Sequence, residues 1–188
     1  MAKNKQEDIY AAAMQLFAAR GYDGTTVPMI AEQAKVGAGT IYRYFENKEA
    51  LVNSLITDCV RKLTEVIRTG FPEHEPVRML FTHIYSRVFD YARNNFDAFL
   101  FINTHDDAYY LDEQSRQVIN ELMAFIGETI ELGQQQNEIR KLPTCALIAI
   151  VYAPISMMIK QIQNDVLIYS EELYNDLEDS AWNAICIR

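Results

Sequence analysis

Between Val36 and Phe45 the sequence reads VGAGTIYRYF. Ile41 and Phe45, spaced i and i+4, fall on one side of a helix and can anchor on Phe17, Ile30 and Val36. The opposite side then presents Gly37, Ala38, Gly39, Thr40, Tyr42 and Arg43. These types suit nucleic acid. Glycine and alanine let the backbone approach a groove wall. Thr40 and Tyr42 offer hydroxyls to phosphates or base edges, and Arg43 can pair with phosphate or reach the O6/N7 edge of guanine. Lys48 falls in the first turn of the next helix, where a cation and unpaired backbone N–H groups together make a phosphate site. Thr26, at the start of the preceding helix, can serve in the same way. A Gly-Ala-Gly run alone reads as a loop, and aromatics alone as core. The whole run at this spacing reads as the second helix of a helix-turn-helix.

Other chemistry finds little support. No Ser-His-Asp set, phosphate-binding loop or nucleotide-binding glycine motif occurs, so the chain is expected not to be an enzyme and to need no cofactor. His105-Asp106-Asp107 is the sole hint of a metal site, but three successive residues on a helix cannot face one ion, and no metal is expected. Cys59, Cys145 and Cys186 are odd in number and lack C-x-x-C spacing, which argues for idle thiols in a reducing cytoplasm.

The elements that must position the run are helical throughout, with apolar residues every three or four positions. Helices are expected at about 5–20, 27–34, 38–45, 47–69, 75–94, 95–103, 112–136, 144–164 and 171–187. That makes an all-α fold of nine helices. Gly21 should end the first, Thr26 and Asn47 should cap the second and fourth, and Ser170 should cap the last. Pro28 is tolerated in a first turn. The 188 residues carry a net charge of −9, so the whole is no cationic nucleic-acid binder. Within residues 1–50, six basic and six acidic residues cancel, leaving the entire −9 on the remaining 138. A neutral head (1–50) on an acidic body (51–188) is the expected domain organisation. The N-terminus has no apolar core of the kind a signal peptide carries. The apolar stretch Cys145–Ile159, at 15 residues, is short of the roughly 20 needed to span a bilayer. It reads as a helix buried on two sides, and no membrane partner is expected.

GYDGTTVPMIAEQAKVGAGTIYRYFENKEAL resembles the DNA-binding signature of the TetR/AcrR family of bacterial transcriptional regulators. The resemblance rests on Gly21-Tyr22, Thr25-Thr26, Ile30-Ala31, Ala34, Val36, Gly39-Thr40, Tyr42, Tyr44-Phe45, Lys48 and Leu51. It implies a nine-helix TetR-like fold and a cytoplasmic homodimer on a near-palindromic double-stranded operator. By position it implies DNA contacts at Thr26, Gly37, Ala38, Gly39, Thr40, Tyr42, Tyr44 and Lys48. Pro28 and Ala38 depart from the family's frequent basic or polar residues there. Shape readout should therefore carry more of the specificity.

The resemblance also implies a small-molecule effector pocket among the middle helices. Tyr85, Phe89, Phe99, Met123 and Tyr152 are its expected wall, suited to an apolar or aromatic ligand. Asp90, Asp97, Asp106 and Asp107 would suit a cationic one. A dimer interface is expected from the last two helices, through Ile148, Tyr152, Ile155, Ile159, Leu173, Leu177, Trp182 and Ile185. The expected function is thus a ligand-responsive repressor. The alternative is a DNA-bound helical scaffold whose acidic body, with its EELYNDLEDS run, recruits a protein and senses no small molecule. An enclosed cavity in the body separates the two.

Overall fold

The computed structural model describes residues 5–187, and among these the regular structure is nine helices with no strand. α1 (Lys5–Arg20) buries Ile9, Ala12, Ala13 and Phe17. It ends where Gly21, at φ 69°, donates its N–H to the Phe17 carbonyl at 2.9 Å, a left-handed position that favours glycine. α2 (Val27–Gln33) opens at Thr26, whose hydroxyl makes no capping hydrogen bond. The turn into α3 (Ala38–Tyr42) is made by Lys35 at φ 56°. α3 is shorter than expected because the Tyr44 and Phe45 amides both donate to the Ile41 carbonyl at 2.9 Å, tightening the last turn. Phe45 is nonetheless buried, as Ile41 is. α4 (Lys48–Arg68) starts as expected, with the Asn47 side chain accepting from the Ala50 amide at 2.8 Å.

The remaining helices are α5 (Val77–Asn94), α6 (Phe96–His105), α7 (Glu113–Gln135), α8 (Thr144–Gln163) and α9 (Glu171–Ile185). Ser170 caps α9, its hydroxyl accepting from the Leu173 amide at 3.1 Å. The chain forms two compact units. One runs to Arg61 and takes in Asp97–Ile119; the other comprises Lys62–Phe96 and everything from Asn120 onward. The first unit therefore holds more than residues 1–50. α6 and the start of α7 join it.

In the first unit, Ile9, Phe17, Ile30, Ile41, Leu51, Leu55 and Phe99 form the deepest core. Asn53, also buried, bonds from its amide to the Glu49 and Tyr110 carbonyls and accepts from the Asp112 amide. A buried polar side chain is tolerable because each of these bonds is made.

In the second unit, α5 packs against both α8 and α9. Val77, Leu80, Ile84, Phe89, Leu147, Ile155, Ile159 and Ile185 are among its buried residues. Glu178 is buried too, and Arg78 grips it. The acidic run of α9 is thus not simply a solvated face.

α8 corrects an expectation. It is not buried on two sides: Leu147, Ile155 and Ile159 are its buried residues, while Cys145, Ala149, Ile150, Ala153, Pro154 and Met157 are exposed. Its 20 residues are long and apolar enough, by length and composition, to cross a membrane. Apolar residues all round a helix say that both sides are covered; they do not say that the same chain covers them.

Candidate nucleic-acid interface

The α2–turn–α3 segment sets Gly37, Gly39, Tyr42, Arg43 and Tyr44 outward and leaves Ala38 and Thr40 half-buried. Tyr42 is 54% exposed and Tyr44 42%, high values for residues with such large apolar rings. Internal structure does not explain the two glycines. A Cβ built at Gly37 or Gly39 meets nothing within 4 Å, and Gly37 has φ −72°, which any residue adopts. Their smallness is what a close approach to a groove wall would require.

Thr25 and Thr26 divide their labour. Thr25 is fully buried, its hydroxyl donating to the Gly21 carbonyl at 2.8 Å. Thr26 is exposed at the N-terminus of α2 with no capping bond. Its hydroxyl is thereby left out of the bonding of the helix's first turn.

Lys48 is more constrained than its sequence position suggests. It is half-buried; its ammonium donates to the Tyr22 carbonyl at 2.7 Å and lies 3.9 Å from the centre of the Tyr22 ring. A lysine has three N–H donors, so this anchor fixes the charge and still leaves donors for a phosphate. The Tyr22 ring in turn stacks on Tyr110 at 3.8 Å. Tyr109 donates from its hydroxyl to Asp23 at 3.1 Å. Sequence reading missed this cluster. Its members come from two distant stretches, 22–48 and 105–110, and only the abundance of aromatics in residues 71–110 hinted at it.

His105, the one hint of a metal site in the sequence, sits at the bottom of the cluster. Its ring is almost wholly occluded, packs 4.3 Å from Phe101, and shares a hydrogen bond between Nδ1 and the Tyr110 hydroxyl. Burial pushes the Tyr110 phenol up to about 12 and holds the His105 imidazole below its ordinary 6.5. The folded protein therefore prefers neutral His105. Above pH 6.5 neither state binds the proton and the full stability is present. As pH falls through that value the unfolded chain takes up a proton that the folded chain resists, and stability declines until the folded pKa is reached. Thermal melts between about pH 7.5 and 5 should show this loss, and His105→Gln, which cannot titrate, should remove it.

The body offers a cavity of about 60 Å³, lined by apolar side chains that include Phe81, Tyr85, Ile130, Val151 and Tyr152. Of the expected wall, the structure brings together Tyr85 and Tyr152 alone. Phe89 is fully buried against Tyr174 at 5.1 Å and stays out of the lining. Phe99 belongs to the first unit's core. Met123 is 38% exposed, because Leu122, Ile126 and Ile130 take the inward stripe of α7 and the next residue lies about 100° round the helix. The four acids do not line the cavity. Asp90 is paired with Arg93 on the surface at 3.6 Å, Asp97 is exposed, and Asp106 and Asp107 are exposed in the first unit. No carboxylate lines the cavity.

The expected dimer residues also separate. Ile155, Ile159 and Ile185 are core residues of the single chain, at 2%, 0% and 0% exposure. Ile148 and Tyr152 line the cavity. Leu173, Leu177 and Trp182 are half-exposed, with Trp182 packed 5.2 Å from Phe81. The uncovered stripe of α8 is instead Cys145, Ala149, Ala153 and Met157 at four-residue spacing, with Ile150 beside it.

Comparison with known proteins finds two family models along the chain. "Bacterial regulatory proteins, tetR family" matches residues 9–55, and "Tetracyclin repressor-like, C-terminal domain" matches residues 56–187. The fatty acid metabolism regulator protein of Bacillus subtilis (strain 168) is 30% identical over 141 residues, covering 73% of this chain and 72% of that one. The uncharacterized HTH-type transcriptional regulator YhgD of the same organism is 37% identical over 86 residues, covering 43% and 45%. That match spans less than half the length of this relative. The crystal structure of a TetR family transcription regulator from Marinobacter aquaeolei VT8 superposes with a TM-score of 0.87 at 18% identity, covering 98% of this chain and 96% of that one.

Proposed function

This chain belongs to the TetR family of bacterial regulatory proteins, and from that premise we propose that it is a transcriptional repressor working as a homodimer on a near-palindromic operator in the cytoplasm. Residues 1–50 carry the DNA contacts and residues 51–188 the dimerisation and effector functions. The observation that carries the reading is the outward set Gly37, Gly39, Tyr42 and Arg43, with glycines that have no internal reason to be glycine. A dimer presents two such helices, and these enter successive major grooves when about 34–36 Å apart. Bound there, the dimer excludes other proteins from the same DNA, which is repression by occupancy. Pro28 and Ala38 provide no polar base contact, so groove shape and Arg43 supply much of the discrimination.

The reading is tested by selecting duplexes from random DNA with the purified protein and measuring affinity for the winner. Arg43→Ala and Tyr42→Ala should each weaken binding by about 1–3 kcal/mol with unchanged melting temperature, since both side chains are exposed. Failure to enrich any duplex would overturn it.

The dimer is assigned to the α8 stripe of Ala149, Ile150, Ala153 and Met157, flanked by Leu173 and Leu177 of α9. Small residues along a helix permit the close approach of a partner helix, and the apolar character of the stripe fits an obligate interface. The same need for cover accounts for α8 without a bilayer: three of its residues are already committed to the core of their own unit.

The effector is assigned an apolar chain without positive charge. The cavity wall supports this, as does the name of the Bacillus relative, a fatty acid metabolism regulator. The cavity's 60 Å³ falls short of the roughly 300 Å³ a small-molecule site commonly has, so an effector must widen it. So small a cavity favours the second reading, a scaffold that senses no small molecule. Fatty acids of increasing chain length, added to free and operator-bound protein, separate the two. An effector must bind the free dimer more tightly by the same factor by which it weakens operator binding, a coupling of about 1–3 kcal/mol. Equal affinities, or no binding, favour the scaffold.

A further inference from the structure

The aromatic cluster of the first unit forms a closed mechanical circuit. Lys48 of α4 reaches Tyr22 twice, by its bond to the carbonyl and by its position over the ring. Tyr110 stacks on the Tyr22 ring with 21° between planes and so covers one face, which leaves the other for the ammonium. The Tyr110 carbonyl is held by Asn53, which is again on α4, five residues beyond Lys48. The Tyr110 hydroxyl is held by His105 at the end of α6. Next door, Tyr109 ties the residue after Tyr22 through Asp23. The chain between Gly21 and Thr26 has no helix of its own, and it delivers Thr26 to the start of α2.

We propose that Tyr110, fifty-five residues beyond the end of the matched DNA-binding segment, is a positioning residue for operator binding. It backs the Tyr22 ring so that the Lys48 ammonium is held ready for phosphate before DNA arrives. The proposal rests on the operator-binding reading above. It differs from simple core packing in one consequence. A space-filling residue can be replaced by another apolar residue without changing the number of phosphates neutralised. A residue that aims a cation cannot, because without its backing the Tyr22 ring no longer holds the ammonium in place.

The experiment measures affinity of the full-length protein for the selected duplex across a range of KCl concentrations. Tyr110→Leu should weaken binding about fivefold near 0.15 M salt for each phosphate that Lys48 no longer reaches, and flatten the plot of log affinity against log salt by about 0.9 per phosphate. Tyr110→Phe, which keeps the ring, should recover most of that slope. Lys48→Met should flatten the slope alone and add nothing further in the Tyr110→Leu background. If Tyr110→Leu does not fold, Tyr22→Leu breaks the same circuit and must show the same change of slope. A lowered melting temperature with the wild-type slope would overturn the proposal and leave Tyr110 a packing residue. If the wild-type protein itself enriches no duplex, the operator reading has failed, a distinguishable result.

Discussion

Ala153→Asp should leave a folded monomer that no longer occupies the operator. Ala153 is exposed on α8, so an aspartate there meets water in the single chain and costs its fold little. In the dimer proposed above the same carboxylate would lie in an apolar seam. Burying it unpaired costs several kcal/mol, and the symmetry of the interface doubles the insult. Operator affinity should fall by orders of magnitude, because one head contacts half a site and forfeits the effective concentration that tethering to its partner supplies. Sedimentation at micromolar concentration and a thermal melt check the two halves of this expectation. A variant that remains dimeric would move the interface away from the α8 stripe. Met157→Asp, one turn along at 58% exposure, should behave alike.

Arg78→Ala should be the most damaging single truncation in the body. Glu178 is 6% exposed and accepts two hydrogen bonds from the Arg78 guanidinium, one of them at 2.6 Å, with a third from Thr82 at 2.9 Å. The same guanidinium bonds Asp179 at 2.8 Å and lies 5.3 Å from the Trp182 ring. Removing it strands a buried carboxylate, at a cost of about 3–5 kcal/mol, a large part of the roughly 5–15 kcal/mol that holds a typical domain. Glu178→Gln in the same background should recover part of the loss. Replacing both partners, as Arg78→Met with Glu178→Leu, should come close to the wild-type melting temperature, because paired ions and packed apolar groups are near equivalents in such sites. A full loss in the double variant would mean that the pair's geometry, not its charge balance, joins α5 to α9.

Much of the candidate site was legible before any coordinates. Ile41 and Phe45 face inward, Tyr42 and Arg43 outward, Asn47 and Ser170 cap their helices, and Gly21 closes α1. All of these follow from local rules, since the period of a helix, the donors left over at its first turn and the sterics of a Cβ are settled within a few residues. The same rules placed Lys48 in the first turn of α4 but gave no sign that its ammonium is held by Tyr22. They read α9's acids as a solvated face or a partner-binding run, when Glu178 is gripped from a position one hundred residues earlier.

What the sequence by itself determined is where nine helices run, that Ile41 and Phe45 turn inward, and that Gly37, Gly39, Tyr42 and Arg43 stay outside. Those are questions of period and chemistry along a few turns. Only the tertiary structure decided what each apolar face turns toward. Ile155 and Ile159 enter the core of their own unit while Ala153 and Met157 stay bare, although all four share one apolar helix. Phe99 closes the first unit and Tyr85 lines the cavity of the second, although both read as pocket wall. Hydrophobic burial is non-directional: it rewards any partner that excludes water. The pairing of faces is therefore chosen by the path of the backbone and the fit of distant side chains, as when Tyr110 reaches Tyr22.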